Sequence, residues 1–461
     1  MTGRVISAVR LSGLEWWIAV AILLHSLGIT EKFVDATGQA QKVETIFWFS
    51  AYLYCILSLF AHYRFQWLMW LIRYRLLLLF ICLGAVVSIG WSVYPILTLQ
   101  RSIHLLGTTC IAFYIGFRIP PKDAISVISS ALAIILVGGA LVSILLPDIG
   151  IQLYGDAIGQ ATTHVWMGLQ SNKNALGFTA AIGVLFFGAK ALLSKGSTRG
   201  LYGILIVVAL VDLVMSRSAT SLGALLLGLL VANGFYLVSA IRMNGINAIV
   251  LLAMLLAIVL AVLLGHETSA IVGEVGRSGD FSGRSSVWAA VEQLLKKWPW
   301  TGTGYGSLWF PRPGEEYMQQ RILEGLTWIP STAHNSFLHV AAELGYPLAI
   351  LSTLFFLQVL LEPLTIYLRR GYSFHFSLVM IAFLCSYAVG DMFEARFLVD
   401  RNALWILYVS IPIVFLRSIE LESISGDPSS IPFVGGIGAA DERSRVVRGT
   451  QRSAMTCGSP D

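Results

Sequence analysis

Apolar runs of near-bilayer length recur along this chain from about residue 14 to about residue 417, and they leave few folds open. They lie at approximately 14–30, 43–61, 76–92, 102–119, 125–147, 174–193, 200–216, 219–239, 246–265, 334–361, 374–391 and 402–417. A helix needs roughly 20 apolar residues to cross the hydrocarbon core. In lipid only helices and closed barrels satisfy their own backbone groups. The pattern therefore predicts an all-α, polytopic integral membrane protein of about twelve transmembrane helices. Composition agrees, since 56% of the 461 residues are apolar and only 12% are charged. Chemistry is then to be sought in loops and at helix ends.

Basic residues set the expected orientation. With a cytoplasmic N-terminus, the cytoplasmic segments hold Arg4, Arg10, Arg64, Arg73, Arg75, Arg118, Lys122, Lys190, Lys195, Arg199, Arg242, Arg369 and Arg370. The short outer loops hold far fewer, among them Lys32, Lys42, Arg101 and Lys173, as the positive-inside rule requires. The net charge of +5 is thus a topology signal rather than a sign of nucleic-acid binding. An even number of spans returns the C-terminus to the cytoplasm of a bacterial inner-membrane protein. The basic N-terminal stretch lacks a small-residue cleavage site and reads as a retained first span. Residues 1–417 form one transmembrane unit. The Gly-, Ser- and Arg-rich tail 418–461 reads as disordered and cytoplasmic. Cys55, Cys82, Cys110 and Cys385 lie within apolar runs and Cys457 in the tail, with no spaced pairs to suggest disulfides or zinc.

One connection differs from the rest. Between about residues 266 and 333 the chain leaves the membrane in a large, partly helical outer (periplasmic) loop, and loops of such length are usually functional or disordered. It holds Trp288, Trp298, Trp300, Tyr305, Trp309, Phe310, Tyr317 and Trp328, and an amphipathic pattern over 285–297 closed by Pro299. The aromatics suit either a seat at the membrane interface or a surface on which sugars stack.

Three residues stand out. Arg217, in DLVMSRSATSLG, lies between two apolar runs with almost no loop around it. A cation there marks a functional site, or an arginine reaching for headgroups. Arg284, in GDFSGRSSVW, opens the amphipathic helix. A guanidinium at a helix N-terminus suits a phosphate; the plainer reading is an ion pair with Asp280 or a neighbouring loop acid. His334, in STAHNSFLHVAAELGYP, stands where the chain re-enters the bilayer, beside Asn335. Its imidazole suits a general base on a sugar hydroxyl, and the plainer reading is a helix-capping His-Asn pair. His334 and His339 are five apart and do not share a helical face, so they form no metal pair; His339 and Glu343, four apart, do share one. Weaker substrate-binding candidates are Lys173, Asn174, Asn335, Glu394 and Arg396. By topology Arg217, Arg284 and His334 fall on one side of the membrane.

Taken in order, SNKNALGF, SRSATSLGALLLG, DFSGRSSVW, WPWTGTGYGSLWF and HNSFLHVAAELGYP resemble the O-antigen ligase and polymerase superfamily, and most resemble its ExoQ-type exopolysaccharide production proteins. The resemblance covers about residues 160–400. It implies a helical membrane enzyme that uses a polyprenyl-diphosphate-linked glycan, with essential residues at Arg217, Arg284 and His334. It implies no metal and no cofactor. His339 departs from the carboxylate or amide that relatives often carry at that position. Polymerisation of undecaprenyl-diphosphate-linked repeat units into exopolysaccharide is the leading expectation, together with contacts to other assembly and export proteins. The alternatives are ligation of a glycan onto lipid A core, a secondary transporter, and a non-catalytic export component.

Overall fold

A computed structural model describes residues 11–30, 38–155, 162–240, 284–309, 322–323, 326, 330–370 and 374–425. Every predicted apolar run falls on a helix except 246–265, which lies outside the described residues. The helices are α1 (Gly13–Ser26), α2 (Gly38–Tyr63), α3 (Gln66–Tyr74), α4 (Leu76–Val87), α5 (Pro95–Arg118), α6 (Pro121–Leu145), the single turn α7 (Pro147–Gly150), α8 (Lys173–Leu193), α9 (Gly196–Met215), α10 (Ala219–Ala240), α11 (Arg284–Lys297), α12 (Ser336–Arg370), α13 (Phe374–Asp391) and α14 (Ala403–Ser425). Among the described residues five helices are long and apolar enough to cross a membrane, or six if the bent pair α3–α4 is one span. Gly13–Ser26, Ala219–Phe235, Leu378–Asp391 and Ala403–Arg417 are apolar but shorter. This is an α-helical membrane protein, and among the described residues the qualifying spans number fewer than the expected twelve. α5, whose first half carries Gln100, Arg101 and His104, is in neither group.

Two elements depart from the expectation. α3 buries Trp67 and Leu71 and meets α4 at 98°. The strands β1 (Ile151–Gly155) and β2 (Thr162–Trp166) pair antiparallel, Ile151 opposite Trp166, where Thr, Val, Tyr and Trp suit a pleated surface. Elsewhere, α14 runs on to Ser425, so the predicted tail starts later, and its remainder lies outside the described residues.

The core is a stack of aromatic rings where α12, α13 and α14 meet, with Tyr387 and Tyr408 4.7 Å apart between centroids and Phe356 and Tyr408 5.3 Å apart. Such pairs add about 0.5–1.5 kcal/mol each beyond area burial. Charges segregate to the two ends of the bundle. At one end Arg75 pairs with Glu362 at 2.6 Å and Arg118 with Glu15 at 2.7 Å. There Arg417 also donates to the carbonyls of Gly116 and Phe117. At the other end, Asp400 accepts from both Arg101 and Arg401 at 3.2 Å, and Arg401 reaches Glu44 at 3.4 Å.

α12 is interrupted at Gly345 (φ 72°, ψ 174°), where a Cβ would lie 2.4 Å from the Trp300 carbonyl carbon. Only glycine fits this conformation and this approach. The chain after α11 fills the gap. Thr303 N–H donates to Ala342 O at 3.0 Å, Gly304 N–H to Glu343 O at 2.8 Å, and Tyr346 N–H to Pro299 O at 2.8 Å.

Candidate functional site

The loop between α13 and α14 turns back at Gly390 and is stitched to the start of α12. Ser336 Oγ accepts Arg396 N–H at 2.9 Å and Phe397 N–H at 3.2 Å, and donates to Glu394 O at 3.2 Å. Asn335 caps α12, its Oδ1 accepting the N–H groups of Phe337 and Leu338 at 3.0 Å, while its Nδ2 donates to Met392 O at 3.2 Å. These bonds satisfy the free donors of the helix start and fix where Glu394 sits.

Three elements remote in sequence converge on the Glu394 carboxylate. Arg284, the first residue of α11, donates Nη2–H to Oε1 at 2.8 Å, and Asn174 in the first turn of α8 donates Nδ2–H to the same oxygen at 2.7 Å. His334 Nδ1 lies 3.2 Å from Oε2. Burial by itself would raise the Glu394 carboxyl; the hydrogen bond and charge of His334, with the charges of Arg396 and Arg284, outweigh it and hold the group at about 2. Near neutral pH Glu394 is therefore an acceptor only. In a neutral ring this contact places the proton on Nδ1 of His334 and leaves the Nε2 lone pair free to take another.

His334 is held by its surroundings. Its φ of 49° lies in the left-handed region, which costs a residue with a Cβ about 1–2 kcal/mol. Its N–H bonds Thr332 Oγ1 at 3.1 Å, and Trp288 of α11 donates Nε1–H to Ala333 O at 2.9 Å. Strain of this kind persists where neighbouring structure over-determines it. The ring remains 24% exposed, enough for a reactant to reach it.

Arg217 also has φ 49°, one residue past the C-cap of α9 at a position where glycine is usual. It is exposed, and among the described residues its guanidinium has no partner. The next residue, Ser218, donates Oγ–H to Asn174 Oδ1 at 3.2 Å. The turn that carries Arg217 is thus linked through Ser218 and Asn174 to the carboxylate that holds Arg284 and His334. Arg284 and Arg396 set their charges beside Glu394, and Arg217 adds an exposed cation on the linked turn.

The remaining candidates are placed as follows. Lys173 is the half-buried first residue of α8. Arg396 is buried rather than solvated, its guanidinium 4.0 Å from the centre of the Phe178 ring. His339 and Glu343 share a face, as their spacing implies, at 3.7 Å, beyond a hydrogen bond; Trp309 stacks on His339. Of the loop aromatics, Tyr305 and Trp309 are buried in packing and Trp300 is exposed, while Phe310, Tyr317 and Trp328 lie outside the described residues. The ion pair of Arg284 is with an acid of the loop between α13 and α14; Asp280 lies outside the described residues. Among the described residues no three His, Cys, Asp or Glu side chains gather into a metal-binding group.

Sequence reasoning missed the central part played by Glu394, which it took only as a weak substrate contact. The available signal was charge balance, since two arginines and a histidine on one face need an acid to order them.

The family described as O-Antigen ligase matches residues 204–353, a stretch that contains Arg217, Arg284 and His334 but neither Asn174 nor Glu394. The chain is also 28% identical over 280 residues to the exopolysaccharide production protein ExoQ of Rhizobium meliloti (strain 1021). That match covers 59% of this chain and 61% of the relative. The similarity to the O-antigen ligase and polymerase superfamily, and to an ExoQ-type protein within it, is the one that the sequence motifs imply.

Proposed function

We propose that this chain is a membrane glycosyltransferase that joins polyprenyl-diphosphate-linked oligosaccharide repeats into exopolysaccharide. The reading includes a bacterial inner-membrane location, both termini in the cytoplasm, about twelve spans and a site at the periplasmic face. Its main support is the convergence of Arg284 and His334, from opposite sides of a long loop, on one ionised acid.

The chemistry follows from charge. The acceptor hydroxyl oxygen bonds to the anomeric carbon, the bond from that carbon to the diphosphate oxygen breaks, and the diphosphate leaves with the electron pair. Arg217 and Arg284 face the developing negative charge with fixed positive charge, which is often the largest catalytic contribution. Guanidinium groups bind phosphate oxygens in pairs, so this duty needs no metal. His334 Nε2 takes the proton of the acceptor hydroxyl, with its ring held in the required tautomer by Glu394, as in other acid–imidazole pairs. A stable anionic leaving group removes the need for the carboxylic acid that glycoside hydrolases use. Lys173, at the rim of the site, is assigned to the glycan or its phosphates, and Asn335 to the cap that points His334 outward.

The test is complementation of a deletion strain with His334→Ala. The expected outcome is accumulation of single lipid-linked repeats with loss of high-molecular-weight polymer, a fall of at least about a hundredfold. Undiminished polymer rejects the reading. The second reading, transfer of a finished glycan to lipid A core, is favoured by the description of the matching family; polymer retained on its lipid carrier in the same strain supports it.

A further inference from the structure

The amide of Asn174 bridges the two halves of the site. Its Nδ2–H donates to Glu394 Oε1 at 2.7 Å, and its Oδ1 accepts from Ser218 Oγ at 3.2 Å. Ser218 Oγ is in turn 2.8 Å from Ser221 Oγ in the first turn of α10, and Ser218 N–H lies 3.3 Å from Ser216 Oγ. Both ends of this relay are fixed. Asn172 caps α8 by accepting the N–H groups of Asn174 and Ala175 at 3.0 and 2.9 Å. Gly177, one turn along, lets α8 press on the 216–221 turn, where a Cβ would come within 2.7 Å of Ser218 Cβ and 2.8 Å of Ser216 Oγ. A side chain at 174 must therefore donate to a carboxylate on one side and accept from a hydroxyl on the other. A carboxamide does both from two separate atoms, and at this reach asparagine fits.

We propose that Asn174 is a positioning residue that registers the Arg217 turn against Glu394, so that Arg217, Arg284 and His334 act on one bound diphosphate-linked glycan. This replaces the expectation of Asn174 as a substrate contact, because both ends of its amide are already engaged within the protein. It rests on the glycosyl-transfer reading above, which the sequence motifs raised from Arg217, Arg284 and His334. Asn174 and Glu394 lie outside residues 204–353, the stretch that the family description matches.

Two variants separate this role from a merely structural one. Asn174→Ala removes both bonds, whereas Asn174→Asp keeps the acceptor for Ser218 but sets a second carboxylate against Glu394. The charged and titratable groups facing Glu394 are His334 before α12, Arg284 on α11 and Arg396 on its own loop. Losing the Asn174 donor lets Glu394 take up a proton at higher pH, and an adjacent carboxylate extends that effect. Membranes of the complemented deletion strain, holding their own lipid-linked glycan, are assayed for polymer formation across pH at matched protein abundance. Maximal rates are expected to fall about tenfold or more in both variants. The acidic limb should move upward in the order wild type, Asn174→Ala, Asn174→Asp. Wild-type rates with an unmoved limb overturn the proposal, as does an equal fall with no movement, which marks a scaffold role. Should Asn174→Ala fail to accumulate, Ser218→Ala decides, since it leaves the α8 cap intact: a reduced maximal rate that Ser218→Thr restores supports the relay, whereas undiminished polymer, or a loss that Ser218→Thr does not restore, overturns it. Undiminished polymer in Arg284→Ala and His334→Ala overturns the underlying reading instead.

Discussion

The short loop between α13 and α14 carries two ionised acids six residues apart, Glu394 and Asp400, and they serve different ends. Asp400 is 3% exposed and held between Arg101 and Arg401, with Glu44 balancing the second arginine. Two cations face two acids, all drawn from the starts of α2, α5 and α14, and the result is a neutral clamp. Glu394 is half-buried, and it gathers an imidazole, a guanidinium and an amide from three separate elements. Burial pushes both carboxyls up, and neighbouring charge brings both down, to about 2 for Glu394. A depressed carboxylate alone therefore does not mark a site. The distinguishing features are an imidazole with one free nitrogen, backbone strain at His334 and Arg217, and a cation without an acid of its own.

Neutralising each acid is the most direct way to break this comparison. Glu394→Gln is expected to cut turnover about a thousandfold, because the tautomer and orientation of His334 depend on that charge; polymer yield per membrane-inserted molecule measures it. The same variant should change acid stability. Glu394, held at about 2 against an ordinary 4.5, contributes stability that is complete above the higher value and is lost as pH falls towards the lower. Thermal unfolding in detergent should thus decline over that window in the wild type and lack that component in Glu394→Gln. Arg284→Lys keeps the charge but not the planar fork, and about a hundredfold loss is expected; wild-type turnover would argue against paired phosphate contacts. Asp400→Asn sharpens the contrast from the other side. It should destabilise the fold by about 3–5 kcal/mol, as breaking a buried pair does, while turnover per folded molecule stays within about twofold.

Much of this architecture was legible before any coordinates. Long apolar runs announce helices because lipid permits little else, and each run within the described residues became one. The bend between α3 and α4 was not legible, since nine residues with Trp67 and Leu71 on one side and Arg73 on the other suit a loop as well as an interfacial helix. The β1–β2 hairpin lies in a stretch too short for a periodicity argument. At the site, Arg217, Arg284 and His334 could be put on one face by counting crossings, a parity argument that needs no contacts. Glu394 and Asn174 needed contacts. Each looks like an ordinary polar residue beside a helix, and its importance comes only from what the tertiary fold brings to it.

The interruption of α12 at Gly345 also divides labour. Bonds that would have joined the first turns of this helix to the rest are made instead to the chain following α11. The segment bearing Ser336, preceded by His334, is therefore tied to the chain following α11. When the bilayer thins or thickens and the longer portion of α12 tilts to match, the rotation is taken up at a single glycine. On the proposed reading the imidazole of His334 keeps its station against Glu394 whatever the lipid around it.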